Sequence, residues 1–136
     1  MKYYVKFLSL NENAGLTSCH GGIQDWEEGV TVRPEVVGDK LCTTGRIHAC
    51  RLQDMIYWLS SHTAIVQVES DDIVEGDHKV GVIDATIIRV AKVDGLDLLV
   101  RYAEKCAELG AGYTPEALTA WLIAQYPAGF FEGVEA

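Results

Sequence analysis

Thr63-Ala64-Ile65-Val66-Gln67-Val68-Glu69 is the stretch that decides the fold. β-Branched residues dominate it, and these pack well on a pleated surface, so it reads as the clearest strand in the chain. Upstream, residues 53–61 place Met55, Ile56, Trp58 and Leu59 at helical spacing and predict one short helix. Downstream, Ser70 to His78 is an acidic loop with Gly76-Asp77 as a turn signal. Residues 79–92, Lys-Val-Gly-Val-Ile-Asp-Ala-Thr-Ile-Ile-Arg-Val-Ala-Lys, then predict a long strand or a bent one.

Further outward the pattern continues. Residues 3–9 are aromatic and β-branched and predict a strand; Asn11 to Gly15 is polar and loop-like. Residues 16–38 are mixed, with Val30-Thr31-Val32 a short strand candidate and Gly38-Asp39 a turn signal. Arg46 to Cys50 alternates like another strand. Two helices close the chain. The first starts after Asp94 as N-cap, puts Leu98, Leu99, Tyr102, Ala103 and Cys106 on one face, and ends at Gly110. The second has Thr114 as N-cap and Pro115 at its first position, buries Leu118, Trp121 and Leu122, and stops before Pro127. Without regular strand–helix alternation a doubly wound parallel sheet is excluded. The expectation is an α+β fold: a mainly antiparallel twisted sheet over 1–93, with a helical hairpin and tail over 94–136 packed on it or appended to it.

The 136 residues suit one domain, with 49% hydrophobic and 23% charged residues, enough apolar surface to offset chain entropy. Twenty acidic against eleven basic residues give a net charge of −9. Such a chain repels phosphate, so no direct nucleic-acid binding is expected. The hairpin region is the denser acidic part, with seven acidic residues against two basic ones. No apolar run approaches the ~18 residues of a membrane span. The alternating start Met1–Lys6 does not read as a signal peptide. A cytoplasmic protein with no membrane partner is expected.

Cys19, Cys42, Cys50 and Cys106 are therefore not expected as disulfides. Cys19-His20, Cys42, His48 and Cys50 have the thiolate and imidazole chemistry of a structural zinc set, with His48 and Cys50 two apart on one strand face. No Cys-x-x-Cys knuckle accompanies them, and small buried thiols with a hydrogen-bonded core histidine are the plainer reading. A Cys50–His48 nucleophile would also need an orienting group and an oxyanion site, which nothing marks. The segment from Glu69 to Asp77 lacks the ligand order of a calcium loop. Its Asp71, Asp72, Glu75 and Asp77 are instead candidates to meet a basic partner, or simply solvated. Trp26, flanked by charge, is a cap over the sheet or an exposed partner anchor, and Phe130-Phe131 pose the same question.

Cys19-His20-Gly21-Gly22-Ile23-Gln24, Gly29 and the run Leu41-Cys42-x-x-Gly45-x-x-His48-Ala49-Cys50 resemble a small domain family of phages and prophages. The resemblance continues through Ile65–Glu69, His78-Lys79-Val80 and Ile87–Val90 and spans roughly residues 3–92. It implies a viral or mobile-element setting inside a bacterial host and carries no established activity. A looser, architectural likeness is to the middle of the ADP-ribosyltransferase fold, through the strand near 46–50, the helix with Tyr57-Trp58 and the strand 63–69. That likeness implies NAD as cofactor. Here Lys6 stands where the family has Arg or His, and Glu69 and Glu75 are the candidates for its late acid. His48, Tyr57 and Glu69 would be the site residues of such an enzyme.

The leading expectation is a small acidic accessory protein that binds a host protein or complex and blocks a basic surface of a defence system, as anti-CRISPR proteins do. An ADP-ribosyltransferase-like enzyme and a viral structural or assembly protein are the alternatives, and a homodimer is possible.

Overall fold

The computed structural model describes the chain apart from residues 11, 14, 19–24, 42–44, 94 and 110–113, and apart from the side chains of 95, 96 and 109. The strands are β1 (Lys2–Leu10), β2 (Leu16–Ser18), β3 (Thr31–Val32), β4 (Ile47–Ala49), β5 (His62–Val68), β6 (Val74–Gly76), β7 (Lys79–Val82) and β8 (Ala85–Lys92). A 3-10 helix covers Leu52–Tyr57, and two α-helices follow, α1 (Gly95–Leu109) and α2 (Pro115–Ala124). One antiparallel sheet has the order β2-β1-β5-β8-β3 and a smaller one the order β4-β7-β6. This is the expected α+β class.

β5 lies at the centre of the larger sheet, and both of its faces are buried. Ala64, Val66 and Val68 join Tyr4 and Leu8 of β1 in a core with Ile47, Ala49, Val80 and Val82 of the smaller sheet. Ile65 joins Val5 and Phe7 in a second core with Met55, Leu98, Leu118, Leu122, Phe130 and Phe131. Period-two alternation thus points apolar residues to both sides. One face of the sheet carries a second sheet, and the other carries the helices. Residues on either side of position 93 share the second core, so the closing helices are packed on the sheet.

The long segment 79–92 is bent. It breaks at Ile83-Asp84 and supplies β7 to one sheet and β8 to the other. Asp84 is buried and accepts the backbone N–H groups of Glu69 and Ser70 at 2.7 and 3.0 Å. A β-bulge in β8 opposite Ile65/Val66 skips Ile88. Ile87 and Val90 therefore both meet the first core while Ile88 and Ala91 meet the second. Arg89, at the bulge, donates to the carbonyls of Gly129 and Glu132 and ties down the C-terminal turn.

The outer edge of β1 is covered in three places. β2 pairs at Leu8–Leu10, Cys50 exchanges two 2.8 Å backbone bonds with Val5, and Val134 bridges Tyr3. Covering an edge removes a template for unwanted strand pairing.

Local chemistry sets several boundaries as expected. Thr114 accepts from the Ala117 N–H, with Pro115 behind it at the start of α2. The Asp94 cap and the Gly110 stop lie outside the described residues. Four expectations are corrected. The helix predicted over 53–61 is a tighter 3-10 turn that ends at Tyr57. The acidic loop 70–78 is not all loop, because Val74–Gly76 forms β6. Ala103 is exposed, and among the described side chains of α1 Leu98 and Tyr102 are the buried ones. Trp26 is 3% exposed, with its indole N–H on the Ser18 hydroxyl at 3.0 Å, so it caps the sheet and is no exposed anchor. Phe130 and Phe131 are likewise core residues, Phe130 stacked on Tyr126 and Phe131 edge-on to it.

Candidate functional site

The β6–β7 hairpin closes through Asp77 and His78, with Gly76 opposite Lys79. His78 has φ of 62°, the left-handed region that a residue with a side chain adopts at a cost. Local contacts fix this turn. The Trp58 indole N–H donates to the His78 carbonyl at 2.6 Å. The His78 imidazole lies on the Tyr57 ring with centroids 3.7 Å apart and planes within 18°. Its Nδ1 is 3.2 Å from a carboxylate oxygen of Asp54. Lys79 reaches over the Trp58 ring at 5.7 Å. The end of the 3-10 helix and the hairpin turn therefore form one built unit, the tip. Tyr57 within it is 51% exposed, and among the described residues it is the one exposed Phe, Tyr or Trp.

The base of the same hairpin is built differently. Arg46 is 6% exposed, and its guanidinium donates to the carbonyls of Gly38, Asp72 and Gly81 and to the Asp72 carboxylate at 2.9 Å. Gly45 lies so close to Gly38 that a Cβ would sit 2.5 Å from the Gly38 nitrogen. Leu41 covers Gly76 and Gly81, where any Cβ would collide with its methyl groups. The spaced Gly45 of the Cys-x-x-Gly-x-x-His-Ala-Cys run is thus a close-approach position.

The predicted acidic residues divide between base and tip. Asp72 is bound by Arg46, and Glu75 is paired with Arg51. Asp71 and Asp77 are exposed, Asp77 next to His78 at the turn. Two of the four are therefore paired with arginines of the chain at its surface, Asp71 is exposed beside the base, and Asp77 is exposed at the tip.

His48, Tyr57 and Glu69 occupy three different settings. Tyr57 belongs to the tip. Glu69 is exposed beyond the end of β5, where its carboxylate accepts from the Gln67 amide. His48 sits in β4 opposite Gly81. Burial, then Lys6 and Lys79, hold its imidazole below the ordinary histidine range. Cys50 is 2% exposed in the second core, and burial pushes its thiol up, with Asp54 adding to the effect. Such a thiol stays protonated near neutrality and is no nucleophile. Cys19, His20 and Cys42 lie outside the described residues. Among the described residues no group of three His, Cys, Asp or Glu side chains is placed to hold a metal ion. No described helix is long and apolar enough to cross a membrane.

Sequence reasoning missed His78, Asp54 and Trp58 as members of a site. Asp54 and His78 are 24 residues apart, and the pairing of β4 with β7, which sets Ala49 opposite Val80, brings the 3-10 helix after β4 to the hairpin turn. The one local hint was the two-residue connection Asp77-His78 between short strands.

Comparison with protein-family models, with curated proteins and with solved structures gives no match.

Proposed function

We propose that the protein acts by binding another protein, with the hairpin tip as the centre of contact and its acidic rim directed at a basic surface. The observation that carries this reading is Tyr57, half exposed and stacked on His78. Aromatic side chains that present area without losing rotamer freedom are enriched at binding hot spots, and a charged rim suits the surround. The charge balance supports it. Four of the eleven basic residues are arginines used as internal ties: Arg46 on Asp72, Arg51 on Glu75, Arg89 on two carbonyls and Arg101 on Asp97. Three of these ties match one cation with one carboxylate, so the net charge of −9 falls on the remaining groups. The partner we propose is a host complex whose basic groove normally takes nucleic acid, in line with the phage-family resemblance and with inhibition of a defence system by occlusion.

The test is affinity capture from a bacterial host lysate with the wild-type chain, Tyr57→Ala and Asp77→Lys, washed at two salt concentrations. A stoichiometric partner lost with either variant and weakened at high salt is the expected result, because exposed charge pairs are screened over about 8 Å at physiological ionic strength. A partner retained equally by all three chains contradicts the reading.

A further inference from the structure

The tip's own surroundings indicate what it receives. The chain has three tryptophans, and each carries one of the chain's own cations over its ring. Lys6 lies over Trp26 at 6.0 Å, Lys79 over Trp58 at 5.7 Å and Arg101 over Trp121 at 5.9 Å. The electron-rich face of an aromatic ring attracts a cation, most strongly when the pair is partly removed from water. Tyr57 has one face covered by the His78 imidazole at 3.7 Å, and the residue is 51% exposed. His78 is in turn held by Asp54, and Asp77 stands beside it at the turn.

We infer that the Tyr57 ring takes an arginine side chain of the partner, stacked on the face that His78 leaves open, with Asp77 beside it as the counter-charge. This rests on the protein-binding reading above and specifies the group bound. Arginine is favoured over lysine for a physical reason. The guanidinium is planar and weakly hydrated, so it lies flat on a ring and still presents its N–H edge to a carboxylate; an ammonium is compact and strongly hydrated. A planar cation on Tyr57 would extend the Tyr57–His78 stack by one layer. An anionic occupant would instead be repelled by Asp77 and by the net charge of −9.

The experiment uses the full chain and two probes, a nine-arginine peptide and a nine-lysine peptide of equal charge. Binding is followed by the ring proton signals of Tyr57 and His78 and by titration calorimetry. The arginine peptide should bind several-fold tighter than the lysine peptide and should shift the Tyr57 and His78 ring signals. Tyr57→Phe should keep that preference, since the ring remains. Tyr57→Leu should abolish it and weaken the arginine peptide by roughly tenfold, the upper part of what a cation over a ring supplies. Equal affinity for the two peptides, a preference that survives in Tyr57→Leu, or no binding of the arginine peptide would each overturn the inference. The two readings fail separately. If the peptides bind equally while the captured partner still depends on Tyr57, the contact surface stands and the arginine assignment falls. If capture is indifferent to Tyr57 and Asp77, the contact surface itself falls.

Discussion

The two ends of the β6–β7 hairpin use the same kinds of residue to opposite effect. At the base, an arginine is buried and all of its described hydrogen bonds go to groups of the chain itself. At the tip, a tyrosine, a histidine and a carboxylate are arranged with comparable order, yet the tyrosine and histidine remain open to solvent. Burial separates the two. A polar group removed from water must be satisfied internally and becomes part of the fold, whereas an ordered group left in water keeps its surface for something else. Asp72 and Asp77, both exposed and a few positions apart, differ in what they meet: Asp72 answers the buried Arg46 and Asp77 stands at the turn.

That contrast can be broken by substitution. Arg46→Ala removes a buried guanidinium that binds three carbonyls and the half-exposed Asp72 carboxylate, so it should lower the unfolding free energy by about 3 kcal/mol, measured by urea denaturation. Gly45→Ala forces a Cβ against the Gly38 backbone, where neither side is flexible, and should lower it by about 2 kcal/mol. Neither change should alter binding at the tip once allowance is made for the unfolded fraction.

A graded effect comes from pH. His48 and His62 are both held below the ordinary histidine range. Burial is the main cause for each, followed by Lys6 and Lys79 for His48 and by Lys92 for His62. The unfolded chain therefore binds protons more readily than the folded one. Stability should be full above the unfolded value near 6.5, fall as pH drops through it, and level off below the folded values. Urea titrations between pH 8 and pH 5 check this, and His62→Gln should flatten the slope.

The smallest expected effect on stability is at the tip. Tyr57→Ala removes an exposed ring and should change the unfolding free energy by no more than about 1 kcal/mol. His78→Gly removes the ring that Tyr57 stacks on but relieves the left-handed backbone, so it too should leave stability within about 1 kcal/mol of the wild type. Thermal and urea melts of both variants test this.

Legibility in the sequence follows the same division. β5 was readable because its centre is β-branched and uninterrupted, and the start of α2 because Thr114-Pro115 acts through contacts within its own turn. The break at Ile83-Asp84 was open as a bent strand but could not be located. No glycine or proline marks it, and it is imposed by Asp84 binding N–H groups 14 and 15 residues away. β6 was hidden because Glu75 and Asp77 read as a solvated loop, although pairing with β7 satisfies the backbone of Val74–Gly76. Of the site, Asp77 and the neighbouring Glu75 are named from sequence as candidates to meet a basic partner and Tyr57 as a candidate enzyme residue, while Asp54, Trp58 and His78 are not named as candidates. Their association depends on tertiary pairing, which periodicity and motif spacing do not encode. Trp26 shows the converse. Its charged flanks allowed an exposed reading, and the packing between β2 and β1 decided for the core.

The most direct test compares Tyr57→Ala with Asp72→Asn, measuring the affinity for the captured partner and the melting temperature of each variant side by side. Tyr57→Ala should lose about tenfold or more in affinity while its melting temperature stays within about 4 °C of the wild type. Asp72→Asn should melt lower with nearly wild-type affinity, because its carboxylate serves Arg46. Affinity lost with Asp72→Asn and retained with Tyr57→Ala would contradict the division between a structural base and a binding tip.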